Sequence, residues 1–213
     1  LIIGQDYHKN KMFKAKEIEG ELKYAVRRQE ETIYHRQLKM TSPALNRFRD
    51  LVLYNLEAGQ AVLTDNNDIR IYTDGKEKFH ALIEEMKRAK KYIHVQYYII
   101  RNDEVWQDIE KVLIEKAHEG VEVRVLFDSM GCRTMHKRDW DRLKCEGIRV
   151  AEFFPAILGQ LQMRVNYRNH RKIVVIDGKV GFVGGFNVGR EYIGKDEKFG
   201  YWRDTHLCIE GAA

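Results

Sequence analysis

The feature that most limits the fold is an alternation of two periodicities between Ile69 and Phe154. Tyr92 to Ile100, Val121 to Phe127 and Ile148 to Phe154 are rich in β-branched and aromatic residues and read as strands. Ile69 to Thr73 is a shorter strand candidate, followed by the turn Asp74-Gly75. Between these runs the apolar spacing changes to that of a helix. Phe79, Leu82, Ile83 and Met86 form one stripe. Val105, Ile109, Val112, Leu113 and Ala117 form another, stopped by Gly120. Asp139 to Cys145 reads as a third helix, closed by Gly147. Strand, helix and strand joined by short connections imply an α/β class, with a mixed, largely parallel β-sheet flanked by helices.

The flanks read differently. Lys172 to Ile176 and Val180 to Val183 are apolar strands joined by Asp177-Gly178-Lys179, a strong hairpin signal. Tyr201 to Ile209 reads as a last strand. Ahead of the alternation, Lys11 to Lys39 is strongly charged. Its thin apolar stripe of Ile18, Leu22, Val26, Ile33 and Leu38 predicts an exposed helical linker. Thr41-Ser42-Pro43 supplies a helix start, and Leu45, Phe48, Val52, Leu53 and Leu56 give that helix an apolar face ending near Gly59. No internal repeat or low-complexity segment is apparent.

Composition sets the limits. The 213 residues, 44% hydrophobic and 32% charged, suffice for a real core and exclude disorder over most of the chain. A net charge of +5 permits an anionic partner (membrane surface, nucleic acid or phosphate ester) without choosing among them. Cys132, Cys145 and Cys208 are widely spaced and odd in number, which argues against a disulfide scaffold or a zinc site. Cys132 and Cys145 are expected to be buried or half-buried thiols. Both chain ends look cut, and no run of about 20 apolar residues occurs. Leu1-Ile2-Ile3, followed by Lys9, Lys11, Lys14 and Lys16, reads either as the end of a removed membrane span with a basic flank or as a frayed helix end.

The chemistry concentrates between Arg164 and Gly194. His170 and Lys172 lie two apart on an extended run, so their side chains are expected to share a face. An imidazole can attack a phosphate ester as nucleophile, and the adjacent ammonium can neutralise the non-bridging oxygens. Gly184-Gly185 allows close approach of backbone to phosphate, and Asn187 offers an amide donor to the same oxygens. Arg164, Arg168 and Arg171 form a local basic cluster that either draws anionic headgroups or is a solvated charged face. Tyr97 and Tyr98 point to opposite sides of one strand, one to the core and the other to the cleft.

His170-x-Lys172-x4-Asp177-x6-Gly184-Gly185-x-Asn187 resembles the HKD motif of the phospholipase D superfamily. Gly184-Gly185-Phe186-Asn187-Val188-Gly189-Arg190-Glu191-Tyr192, Tyr201-Trp202-Arg203-Asp204-Thr205-His206-Leu207 and Val95-Gln96-Tyr97-Tyr98-Ile99 resemble the bacterial cardiolipin synthases within it. So does Gly4-Gln5-Asp6-Tyr7, which is similar to the exit from that family's second membrane helix. The resemblance implies a phospholipase D-like lobe over residues 41–213, behind a juxtamembrane helical linker over 1–40. It implies that His170 forms a phosphatidyl-histidine intermediate, that Lys172 and Asn187 hold phosphate oxygens near Gly185, and that Asp177 fixes the geometry of the motif. Asp204 matches an acidic residue that orients the histidine ring, a role with chemical logic because it fixes the tautomer; the alternative is a surface carboxylate at a strand edge. No metal or other cofactor is implied.

The implied reaction transfers a phosphatidyl group between two phosphatidylglycerol molecules at the bacterial cell membrane, releasing glycerol. Nucleic acid is not an expected partner under this reading. The family's site lies between two lobes, whereas one motif occurs here: His94, His136 and His206 lack the pattern. A second lobe is therefore expected as a partner, from a missing C-terminal part or from a homodimer. The competing readings are a phosphodiesterase, either lipid hydrolase or homodimeric nuclease, and a lobe that binds anionic lipid without catalysis.

Overall fold

A computed structural model describes residues 16–34, 47–64, 66–153 and 168–211. The expected helix start at Thr41-Ser42-Pro43, the segments Leu1-Ile2-Ile3 and Gly4-Gln5-Asp6-Tyr7, and Phe154 and Arg164 lie outside the described residues. The chain divides between Asp65 and Asn66 into two units.

In the first unit, α1 (Lys16–Tyr34) and α2 (Arg49–Gly59) are a helix pair. Val26 and Ile33 of α1 are buried with Leu56 of α2, and Val52, Leu53 and Val62 pack around them. The Gln29 amide clamps the chain after α2: its Nε2 donates to the Leu63 carbonyl at 2.8 Å and its Oε1 accepts from the Leu63 N–H at 2.6 Å. Arg49 donates to the Ile33 carbonyl at 2.6 Å. The thin stripe of the charged helix thus has a partner, so α1 is more than an exposed linker. The same contact carries α2 into the first unit, which ends at Asp65.

The second unit holds β1 (Asp68–Tyr72), α3 (Gly75–Lys87), β2 (Tyr92–Tyr97), α4 (Glu104–His118), β3 (Glu122–Asp128), α5 (Lys137–Cys145), β4 (Arg149–Phe153), β5 (Ile173–Ile176), β6 (Val180–Gly184), a short 3-10 helix (Arg190–Ile193) and β7 (His206–Glu210). They form one seven-stranded sheet in the order β1-β7-β6-β5-β2-β3-β4. Parallel pairing is confined to β2–β3 and β3–β4, where α4 and α5 supply the crossovers. The pairs β2–β5, β5–β6, β6–β7 and β7–β1 are antiparallel, so the sheet is mixed and less parallel than the helical alternation implies. The reason is local: Asp177-Gly178-Lys179 is too short for a crossover and turns β5 straight back into β6.

α3 and α4 start where a carboxylate accepts the free N–H groups of the first turn. Asp74 takes those of Lys76 and Glu77 at 2.8 and 3.2 Å. Asp103 takes those of Val105 and Trp106 at 3.1 and 3.4 Å. Across the sheet, Val95, Val174, Phe182 and Cys208 stand abreast in the paired register and are all buried. Leu82, Met86, Ile109 and Leu113 from α3 and α4 are completely buried in the same core cluster. Each fully buried aliphatic side chain of this kind contributes about 1.5–3 kcal/mol. Phe127 stacks on Trp140 at 3.9 Å, bringing α5 onto β3.

Two strand boundaries and one cysteine depart from expectation. β5 begins at Ile173, leaving His170 to Lys172 as irregular backbone. β7 begins at His206 rather than Tyr201, because Trp202 packs edge-on against Tyr192 and Phe199 at 5.1 and 5.5 Å instead of joining the ladder. Cys132 and Cys208 are buried, but Cys145 is exposed at the last turn of α5, where the apolar face ends.

Asp177 fixes the hairpin to the rest of the sheet. Its carboxylate accepts the N–H groups of Lys90, Lys91 and Tyr92 at 2.8, 2.7 and 2.9 Å, and its own N–H donates to the Tyr92 carbonyl at 3.0 Å. Its φ of 54° is left-handed, a region Asp and Asn tolerate better than other side chains. Desolvation pushes the carboxyl up, but the three N–H donors together outweigh it and hold it below the ordinary range. A depressed carboxyl stabilises the fold above its unfolded pKa of about 3.9 and loses that contribution as pH falls below it. Asp177→Ala is therefore expected to lower urea stability at pH 7 by about 1–3 kcal/mol. Asp177→Asn should lose less, and its deficit should shrink as the pH falls below about 4. Equal losses in the two variants, independent of pH, would contradict this anchoring.

Candidate active site

The run that carries His170 is held from beneath by a buried carboxylate. Asp128, at the end of β3, is 1% exposed and accepts the N–H groups of Met130, Gly131 and Asn169 at 2.8, 3.3 and 3.3 Å. The Arg168 guanidinium stands 3.8 Å from the same carboxylate, nearly buried. Arg168 therefore faces inward and belongs to no open basic cluster; Arg171 is exposed. No motif points to Asp128, although its place at the carboxyl end of a parallel strand is where α/β sheets put their sites.

Above this anchor the His170 ring is exposed and stacks on Tyr98, with centroids 3.7 Å apart and planes at 23°. Tyr97 is buried, so the two tyrosines do part to opposite sides of β2. Lys172 is half-buried. Its Nζ donates to the His170 carbonyl at 2.6 Å and lies 5.4 Å from the centre of the Tyr98 ring. Burial lowers the Lys172 ammonium, and the nearby Asp204 carboxylate partly offsets this; the net direction is down. The pair expected to share one strand face thus meets through irregular backbone, with Tyr98 as common floor.

Asp204 accepts the Thr205 N–H at 2.7 Å. Its carboxylate lies against Gly185, where any Cβ would collide with it. Gly185 therefore admits a carboxylate beside Lys172 in this structure. Among the described residues no hydrogen bond joins Asp204 to the His170 ring; the group touching that ring is Tyr98. Asn187 is buried: its Oδ1 accepts the Ile99 N–H at 3.1 Å, and its Nδ2 donates to the Tyr192 hydroxyl at 2.8 Å. One amide N–H is left over. Lys78 and His206 lie buried behind the site; Lys78 belongs to no motif, and His206 stands in the family-like run Tyr201 to Leu207 with no role read for it there.

The arrangement offers an accessible imidazole, an ammonium within one side chain of it, and a carboxylate that tempers the ammonium. Such a set suits nucleophilic attack on an anionic centre followed by charge neutralisation.

Comparison with known proteins bears on the family and the fold. The family model described as cardiolipin synthase, PLD-like domain, matches residues 82–199. Over its whole length the chain is 45% identical to cardiolipin synthase 2 of Staphylococcus epidermidis and 44% identical to the cardiolipin synthase of Oceanobacillus iheyensis. It spans about 44% of the length of each of these relatives. Among solved structures, the phosphatidylserine synthase of Haemophilus influenzae is similar with a TM-score of 0.52 and 19% identity, over 68% of this chain and 33% of that one. NucT from Helicobacter pylori is similar with a TM-score of 0.51 and 15% identity, over 69% and 87%. At these identities the two structures speak to the fold alone.

The balance at Lys172 can be measured. Removing the Asp204 charge with Asp204→Asn should lower the Lys172 pKa further, because desolvation would then act unopposed. A ¹³C NMR titration of the lysine Cε signals checks this. An unchanged or raised Lys172 pKa would mean that the carboxylate does not act on the ammonium.

Proposed function

Because the chain belongs to the family of cardiolipin synthase, PLD-like domains, we propose that it supplies the nucleophilic half of a phosphatidyltransferase that makes cardiolipin from two phosphatidylglycerol molecules. The observation that carries this reading is the exposed His170 ring on Tyr98, with Lys172 alongside.

A ring nitrogen of His170 attacks the phosphorus of one phosphatidylglycerol. The N–P bond forms, the P–O bond to the headgroup glycerol breaks, and glycerol leaves with a proton. A free hydroxyl of a second phosphatidylglycerol then attacks the same phosphorus. The new P–O bond forms, the P–N bond breaks, and cardiolipin departs with His170 restored. The proton given to the leaving glycerol, and later taken from the incoming hydroxyl, needs a general acid and base. We assign that role to a histidine of a second HKD lobe, consistent with a chain that spans about 44% of its relatives.

Lys172 holds a non-bridging phosphate oxygen, turning its ammonium from the His170 carbonyl to the substrate. Asn187 adds its free amide N–H while its other two bonds brace the loop. Asp204 tempers the Lys172 charge and is also positioned in sequence to orient His170 once substrate is bound. Asp177 acts through the hairpin it anchors. The substrate and product are anionic lipids, so the reaction belongs at a membrane surface; no described helix is long and apolar enough to cross one.

In the full-length protein, His170→Ala should lower cardiolipin formation on phosphatidylglycerol vesicles by about 10³-fold or more. Rapid quenching of the unaltered protein should trap a base-stable, acid-labile phospholipid adduct on His170, visible by mass spectrometry. Turnover near normal in the variant would remove His170 as nucleophile. Phosphatidate in place of cardiolipin would favour the hydrolase.

A further inference from the structure

Three polar groups are sealed behind Lys172, and the mechanism above uses none of them. His206 is completely buried, and neither of its ring nitrogens has a hydrogen-bond partner among the described residues. Lys78 is completely buried as well; its Nζ donates to the Tyr97 hydroxyl at 2.8 Å and sits 3.8 Å over the Phe79 ring.

Strand register connects this cluster to the site. His206 pairs with Gly184 across β6 and β7, and the Gly184 N–H donates to the Lys172 carbonyl at 3.3 Å. Gln96 pairs with Ile173, so Tyr97 continues the same row on β2. Residues abreast in a sheet project to one face. Lys172 stands one residue before β5, and extending the register by that residue gives the row His206, Gly184, Lys172, Tyr97, buried at both ends, with Lys172 half-buried between them. Gly184 keeps the passage clear: a Cβ there would stand 2.7 Å from the His206 Cγ and closer still to the β7 backbone. On its other side the ring lies 6.1 Å from Phe186.

Unpaired polar atoms in a core cost stability, and an apolar ring of the same shape would remove that cost. A protein keeps such a group where a site needs it. Burial, then Lys78 and Lys172, push the His206 ring down to about 3, so it stays uncharged at neutral pH.

We propose that His206 is a positioning residue for Lys172, its uncharged ring offering a lone pair across Gly184 that holds the Lys172 ammonium aimed at the substrate phosphate. This rests on the reading that Lys172 holds the phosphate. A carboxylate at the same place would compete with the phosphate for the ammonium; an imidazole directs it without bringing a negative charge. Lys78 and Tyr97 close the row from behind.

The test uses the full-length protein assayed for cardiolipin formation on phosphatidylglycerol vesicles, with His206→Phe, His206→Gln and Lys172→Ala. His206→Phe keeps the ring against Phe186 and removes both nitrogens. It should raise the melting temperature by about 2–4 °C while lowering kcat by about tenfold or more, with KM changed less than about twofold. His206→Gln, which restores an acceptor, should regain part of kcat. A kcat for His206→Phe within about twofold of normal overturns the proposal, and so does a loss of melting temperature together with activity. If His206→Phe does not fold, His206→Leu takes its place, and failure of both to fold marks the ring as structural and overturns the proposal. Lys172→Ala separates the two layers. If it keeps turnover, the phosphate role of Lys172 falls and this proposal with it. If it is inactive while His206→Phe is normal, only the positioning role falls.

Discussion

The structure of the larger unit depends on the two hydrogen-bonded edges of β2. One edge pairs in parallel with β3 and the other antiparallel with β5, so this strand is the seam between a crossover-built half and a hairpin-built half. Each half alone is a common small motif; their junction creates the site. At the carboxyl end of β2, Tyr97 turns inward and Tyr98 outward, and the outward ring becomes the floor for His170. Because β5 runs opposite to β2, the irregular run before β5 arrives at that same end. The parallel half contributes Asp128 there, which holds the run from below.

The electrostatics follow from this placement. The Lys172 amine and the His206 imidazole share a row of the sheet, the Lys78 amine of α3 acts on the imidazole from behind, and one carboxylate, Asp204, offsets part of the charge at Lys172. Burial acts against both ammonium groups: Lys78 lies well below its ordinary range and Lys172 below it to a lesser extent. Fully buried Tyr97 is pushed up, consistent with a hydroxyl that stays protonated beside Lys78. A phosphate entering beside Lys172 would supply the counter-charge that the row lacks.

Much of this was legible in the sequence, for a physical reason. Helical stripes such as Phe79, Leu82 and Met86, and β-rich runs such as Tyr92 to Tyr97, carry their periodicity in the chain itself. The spacing of His170, Lys172 and Asp177 also survives as plain text. What escaped depends on contacts between distant segments. The β5–β6 hairpin was legible in its Asp177-Gly178-Lys179 turn, but the antiparallel pairings β2–β5, β6–β7 and β7–β1 could not be read from strand sequences that look alike in either pairing. The start of the expected last strand was moved by Trp202 finding Tyr192 and Phe199. Arg168 looked like one of three surface cations because its partner, Asp128, lies far away in the chain. The stripe of α1 looked too thin to pack until α2 supplied the facing residues. His206 stood in a family-like run, but its burial without a hydrogen-bond partner among the described residues is visible only when its surroundings are known.

The departure at Cys145 has a practical side. Thiol reagents act on accessible thiolate. Cys132 is buried, hydrogen-bonded to the Ile100 N–H and pushed up to about 12, and Cys208 is buried in the core. Cys145 alone of the three presents its sulfur to solvent, at the end of α5. These 213 residues therefore already hold a single attachment point for a fluorophore or spin label, on a helix that contributes none of the motif residues.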